Sequence, residues 1–134
     1  MAWGPNPPRD AAGNVVPHDD PHAVPDTWTL LRHVHREQWH RDPYRPQSIA
    51  FTFSSEGSQS MSVDLEQAMA ADGLPATHYA FLVGKGVVRV TAGKARELGF
   101  RVGPEPIPGN PLHGGIWAPN PAIPENQLKS RRRH

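Results

Sequence analysis

Alternation of apolar and polar residues is the clearest regularity in this chain. The stretch "SIAFTF" (48–53) puts Ile49, Phe51 and Phe53 on one side of an extended backbone, the period of two that predicts a strand. "TWTLLRHVH" (27–35) predicts a strand that opens the folded region. "HYAFLVG" and "VVRVTAG" predict a hairpin turning through Gly84, Lys85 and Gly86. "FRVGPEP" reads as a further strand and "HGGIWA" as the last. The period changes in "MSVDLEQAMAADG", where Leu65, Ala68 and Met69 share one helical face. Asp64 is placed to cap that helix, with Gln67 as its reciprocal partner and Gly73 as its stop. Thr91 is placed to cap a second helix, "AGKAREL", which Gly99 ends. Pro43 and Pro46 break the polar segment between the first two strands, leaving room for a helical turn over Arg36 to His40. The order β, β, α, β, β, α, β predicts a small single α+β domain. Its sheet is mostly antiparallel, with two short helices and proline-rich irregular ends.

Composition sharpens the boundaries. Six of the 16 prolines fall in residues 1–25 and seven in residues 104–124, leaving three for the middle. Residues 1–26 therefore read as a proline-rich arm, 27–118 as the core domain, and 119–134 as a basic tail. A core of that size buries only a marginal amount of apolar surface, so the stretch around Ile116 and Trp117, or a partner, is expected to pack onto it. With no cysteine among 134 residues, no disulfide staples the chain and no thiolate does chemistry. The start lacks a signal-peptide pattern and no apolar run reaches membrane-spanning length, which points to a cytoplasmic protein and no membrane partner. A net charge of +1 gives no overall pull toward nucleic acid. Lys129, Arg131, Arg132 and Arg133 concentrate positive charge at the end, as a solvated tail or as a phosphate contact.

Four segments together, "RPQSIAF", "SMSVD", "TAGKAR" and "NPLHGG", carry a resemblance. The chain resembles a set of small bacterial proteins with an Arg-Pro-x-Ser-x-Ala-Phe strand, a Ser-Val-Asp, an Ala-Gly-x-Ala-Arg turn and an Asn-Pro-x-His close. The likeness covers roughly residues 28–117. It implies one small domain and brings no activity with it.

Candidate chemistry lies at segment ends. Gly93 opens the second predicted helix, where outward backbone N–H groups favour an anion and Lys94 and Arg96 could join them. The phosphate-loop spacing is absent, because Ala95 follows Lys94, and a capped surface helix explains the same residues. His33 and His35 share a strand face, with His40 near, an arrangement open to acid–base work. A metal would need a third ligand such as His113 or Asp64, no zinc spacing is present, and none is assigned. Arg45 and Ser48 flank a strand, an order similar to the nucleotide cradle of the ADP-ribosyltransferase-like NAD-cleaving toxins, with Arg32 or His33 as the early residue. The paired Glu-x-Glu of those families is missing, since Glu66 and Glu97 stand alone. His113 sits between the turn at Asn110-Pro111 and the flexible pair Gly114-Gly115, either as a positioned acid or base or as the start of the last strand.

Three function classes follow, the last of them sequence-tolerant nucleic-acid binding through the basic stretch Lys129 to His134, ranked third because the net charge is near zero. The first is a small enzyme acting on a phosphate-bearing substrate, a nucleotide or nucleic acid. His113, His35 and His33 would move protons while Arg96, Lys94, Gly93, Arg45 and Ser48 bind the substrate. The second is a protein–protein interaction module that presents Trp28, Trp39, Trp117 and the proline-rich arms, with a partner ordering those arms. No cofactor is legible. The enzyme stands first because polar residues cluster at the segment ends of the core.

Overall fold

A computed structural model describes residues 5–34, 39–41, 44–46, 59–76, 78 and 86–119. Five strands form one sheet: β1 (Thr29–Val34), β4 (Met61–Leu65), β5 (Gly86–Thr91), β6 (Arg101–Pro104) and β7 (His113–Trp117). They lie in the order β5-β1-β4-β7-β6, and every neighbouring pair is antiparallel. Two short strands, β2 (Trp39–Arg41) and β3 (Tyr44–Pro46), pair separately. With helices α1 (Glu66–Ala71) and α2 (Ala92–Glu97), the fold is the expected small α+β domain.

Alternation along the strands separates two faces of the sheet. Leu30, Val63, Leu65, Val102 and Ile116 share one face and are buried. They join Ala68 and Met69 of α1 and Ala92 and Ala95 of α2 in a single core. Strands β5 and β6 run in the same direction, so the chain must cross back between them, and α2 makes that return.

The second helix forms as its sequence predicts. Thr91 accepts the Lys94 amide through Oγ1, and Gly99, at φ +97°, lies just beyond the helix end. The first helix starts differently. Asp64 does not cap it: Asp64 belongs to β4, Leu65 is the N-cap, and no side chain caps that end. Gln67 reaches β1 instead, where its Oε1 accepts the Thr29 amide at 2.7 Å. The helical turn expected over Arg36 to His40 is corrected at its last two residues, while residues 36–38 lie outside the described ones. Trp39 and His40 lie in β2, because pairing with Tyr44–Pro46 satisfies their backbone in extended form. The predicted strand at 48–53 and the hairpin turn at 84–85 lie outside the described residues.

The described part of the N-terminal arm is docked on the chain itself. Val24 is fully buried in the core. The Asp20 amide donates to Val102 O at 2.9 Å, and Asp19 Oδ1 accepts the Val102 amide at 2.9 Å, so the arm lines the edge of β6. Gly103 and Gly115 lie directly opposite each other on the face away from the core helices. Their missing side chains make room for two rings: His18 lies over Gly103 and Trp117 over Gly115, with ring centroids 4.7 Å apart. Among the described residues no helix is long and apolar enough to cross a membrane.

Candidate functional site

Register places polar side chains in a row across the sheet face opposite the core helices. Leu31 of β1 is opposite Asp64 of β4, Asp64 is opposite His113 of β7, and the Glu105 amide bonds to His113 O. Directly opposed residues point to the same side, so Asp64, His113 and Glu105 share a face, with His33 two residues beyond Leu31 on β1. Ser60, Asp64, Glu105, Asn110 and His113 are the buried polar residues among those described. Burial of this kind is costly unless each group meets a partner, and these do.

At one end of the row, Glu105 holds His113 in two ways. His113 Nδ1 lies 2.8 Å from the Glu105 backbone carbonyl and 3.6 Å from its carboxylate Oε1. A carbonyl oxygen only accepts, so Nδ1 carries the hydrogen and neutral His113 keeps its lone pair on Nε2. The Glu105 carboxylate is fixed in turn by Ser60, whose Oγ donates to Oε1 at 2.6 Å. His113 enters this position because the turn before it is tightly tied. Asn110 Oδ1 accepts the Leu112 amide at 3.1 Å, and Asn110 O accepts the His113 amide at 3.3 Å. The turn "GNPLH" thus starts the last strand, one of the two alternatives expected for it, and fixes the orientation of the His113 ring.

At the other end, His33 Nε2 lies 2.8 Å from Asp64 Oδ2, with the two side chains 16% and 6% exposed. The contact is off the axis of an aligned hydrogen bond. The second oxygen, Asp64 Oδ1, accepts Asn110 Nδ2 at 2.8 Å. Asn110 therefore joins the His33–Asp64 pair to the turn that carries His113. No third His, Cys, Asp or Glu completes a metal-holding group among the described residues.

The predicted anion cradle at α2 has partners within the chain. The Ala92 amide donates to Trp28 O at 2.8 Å, the Gly93 amide to Asp26 O at 2.9 Å, and the Lys94 amide to Thr91 Oγ1 at 3.1 Å. Gly93 also permits close approach, since a Cβ there would sit 3.0 Å from Asp26 Cβ. Arg96 donates from Nε to Asp19 at 2.8 Å, from Nη1 to Asp26 at 2.7 Å and from Nη2 to Val102 O at 3.1 Å. Lys94 Nζ lies 3.8 Å from Glu97. None of these contacts reaches His113. Arg32 lies on the opposite face from His33 and donates to Ser62 O at 2.9 Å, and desolvation lowers its pKa below the usual guanidinium value. Arg45 is in β3 opposite His40, while His35 and Ser48 lie outside the described residues.

Two of the tryptophans named for the interaction reading are occupied. Trp117 is 1% exposed and Trp28 packs half-buried against the core. Ile107, at 42%, is the exposed large hydrophobic among the described residues. Sequence reading picked out His33 and His113 but missed Glu105, Ser60 and Asn110 as site residues, and placed Asp64 chiefly on a helix cap. For Ser60 and Asp64 the signal was the polar alternation Ser60, Ser62, Asp64 in a segment otherwise destined for the core. Comparison of the chain with protein families, curated proteins and solved structures gives no match.

Proposed function

We propose that this chain is a small cytoplasmic enzyme acting on a phosphate-bearing substrate, a nucleotide or nucleic acid, with His113 and His33 as its acid–base groups. The observation that carries the reading is the pair of histidine–carboxylate contacts on one face of the sheet, His33 with Asp64 and His113 with Glu105. Transfer of a phosphoryl group needs a base for the attacking oxygen and an acid for the leaving oxygen. In this reading two imidazoles on one face of the sheet supply both. Arg96 and the α2 amides are committed to the N-terminal arm, so substrate charge falls in this reading to Arg45 and Ser48.

The test is turnover of a panel of nucleotides, cyclic nucleotides and short RNA and DNA oligomers, followed by phosphorus NMR. His113→Asn and His33→Asn are each expected to lower turnover by about 10²–10⁴-fold, with unchanged circular dichroism. Undiminished turnover in either variant, or no turnover of any member by the unaltered protein, overturns the reading.

A further inference from the structure

We propose that Glu105 is a positioning residue that acts on His113 through its main chain. Its backbone carbonyl, and not its carboxylate, keeps the imidazole hydrogen on Nδ1 and makes Nε2 the nitrogen that accepts a proton. The proposal rests on the reading of His113 as an acid–base group and adds which atom orients it.

Two oxygens of one residue compete for a single hydrogen. The Glu105 carbonyl lies 2.8 Å from His113 Nδ1, and the carboxylate Oε1 lies 3.6 Å away. A carboxylate is ordinarily the stronger acceptor, so its second place needs a cause. Strand pairing supplies one. Beyond Pro104 opposite Gly114, the next residues in register are Glu105 and His113, and the Glu105 amide donates to His113 O at 2.9 Å. A regular antiparallel ladder would return the His113 amide to Glu105 O. Here that amide donates to Asn110 O at 3.3 Å in the turn, and the His113 ring fills the place with Nδ1–H. The acceptor is thus a backbone atom fixed by the sheet, and no rotation of the Glu105 side chain withdraws it.

The carboxylate is drawn along β7 instead. A Cβ on Gly115, two residues on from His113, would sit 3.1 Å from Glu105 Oε1, and Ser60 Oγ donates to the same oxygen at 2.6 Å. Gly115 makes room for the carboxylate and Ser60 fastens it there. His113, Glu105 and Ser60 are all buried, so bulk water competes little for these bonds. In the step this arrangement serves, the O–H bond of the attacking group breaks and an Nε2–H bond forms on His113. The Nδ1–H bond is untouched, and solvent removes the added proton afterwards.

Nitrogen-15 NMR of the imidazoles tests this in full-length protein without substrate. Neutral His113 is expected as the Nδ1–H form, whereas a ring that nothing orients favours Nε2–H. A through-hydrogen-bond coupling from Nδ1 is expected to the Glu105 carbonyl carbon. Glu105→Gln separates the two oxygens, because it replaces the carboxylate and leaves the carbonyl. Where a carboxylate orients a catalytic histidine, an amide in its place puts the hydrogen on the wrong nitrogen. Here the His113 signals are expected to keep the Nδ1–H pattern in Glu105→Gln. Neutral His113 of the Nε2–H form in the unaltered protein, or a coupling to the carboxylate carbon of Glu105, overturns the proposal even if the variant does not fold. So does a folded Glu105→Gln in which the His113 hydrogen has moved to Nε2. The expected tautomer without turnover of any panel member would sink the enzyme reading and leave the orientation by the Glu105 carbonyl in place.

Discussion

A methyl group added at Gly103 would run into the ring of His18, and one added at Gly115 would sit 2.9 Å from the edge of the Trp117 ring. These two glycines are needed for close approach and not for backbone freedom, since neither has a positive φ. Gly103→Ala must displace His18 from a packed site beside Trp117, and we expect it to destabilise the fold by about 1–3 kcal/mol. A chemical-denaturation midpoint equal to that of the unaltered protein would show that His18 gives way without cost. The same locality explains what was readable at this scale. His113 stood out because turn residues bracket it in sequence. Glu105 did not, because its significance comes from Ser60, which lies 45 residues away.

Among the elements, α2 is the one whose role changed most between sequence and structure. Its boundaries were legible, because Thr91 and Gly99 act within one turn of it. Its basic residues were not, because the partners of Arg96 are 70 and 77 residues distant. Three groups of one guanidinium bind two arm carboxylates and the backbone of β6, which makes the helix a clamp. Arg96→Ala should cost about 1–3 kcal/mol. It should also speed hydrogen exchange at the Val102 amide, whose acceptor is Asp19 Oδ1. Unchanged protection at Val102 would mean that Asp19 holds its place without the arginine. Asp64 teaches a related lesson for β4. An aspartate before a helical pattern reads as a cap, and only Asn110, 46 residues on, reveals that it is a buried strand residue with a partner.

For the molecule as a whole, the arm is part of what makes the core stable. Val24 contributes a fully buried side chain, and Asp19 and Asp20 line the edge of β6. Val24→Ala is expected to destabilise the protein by about 1–3 kcal/mol. Removal of residues 1–25 should broaden or abolish the cooperative thermal transition seen by circular dichroism. A truncated chain that melts as sharply and as high as the full one would show the arm to be an appendage. Fold class was legible here because strand alternation and helix caps are local. The docking of the arm was not, because its irregular sequence has no period and its contacts are made far along the chain.

That distance orders events in time. The amide that Asp19 receives belongs to a residue 83 positions later, on β6. During synthesis the segment around Asp19 therefore leaves the ribosome well before its seat exists and waits for α2 and β6 to follow it. What is made earlier is fastened later, and until then the β6 edge and the core beneath Val24 lack their cover.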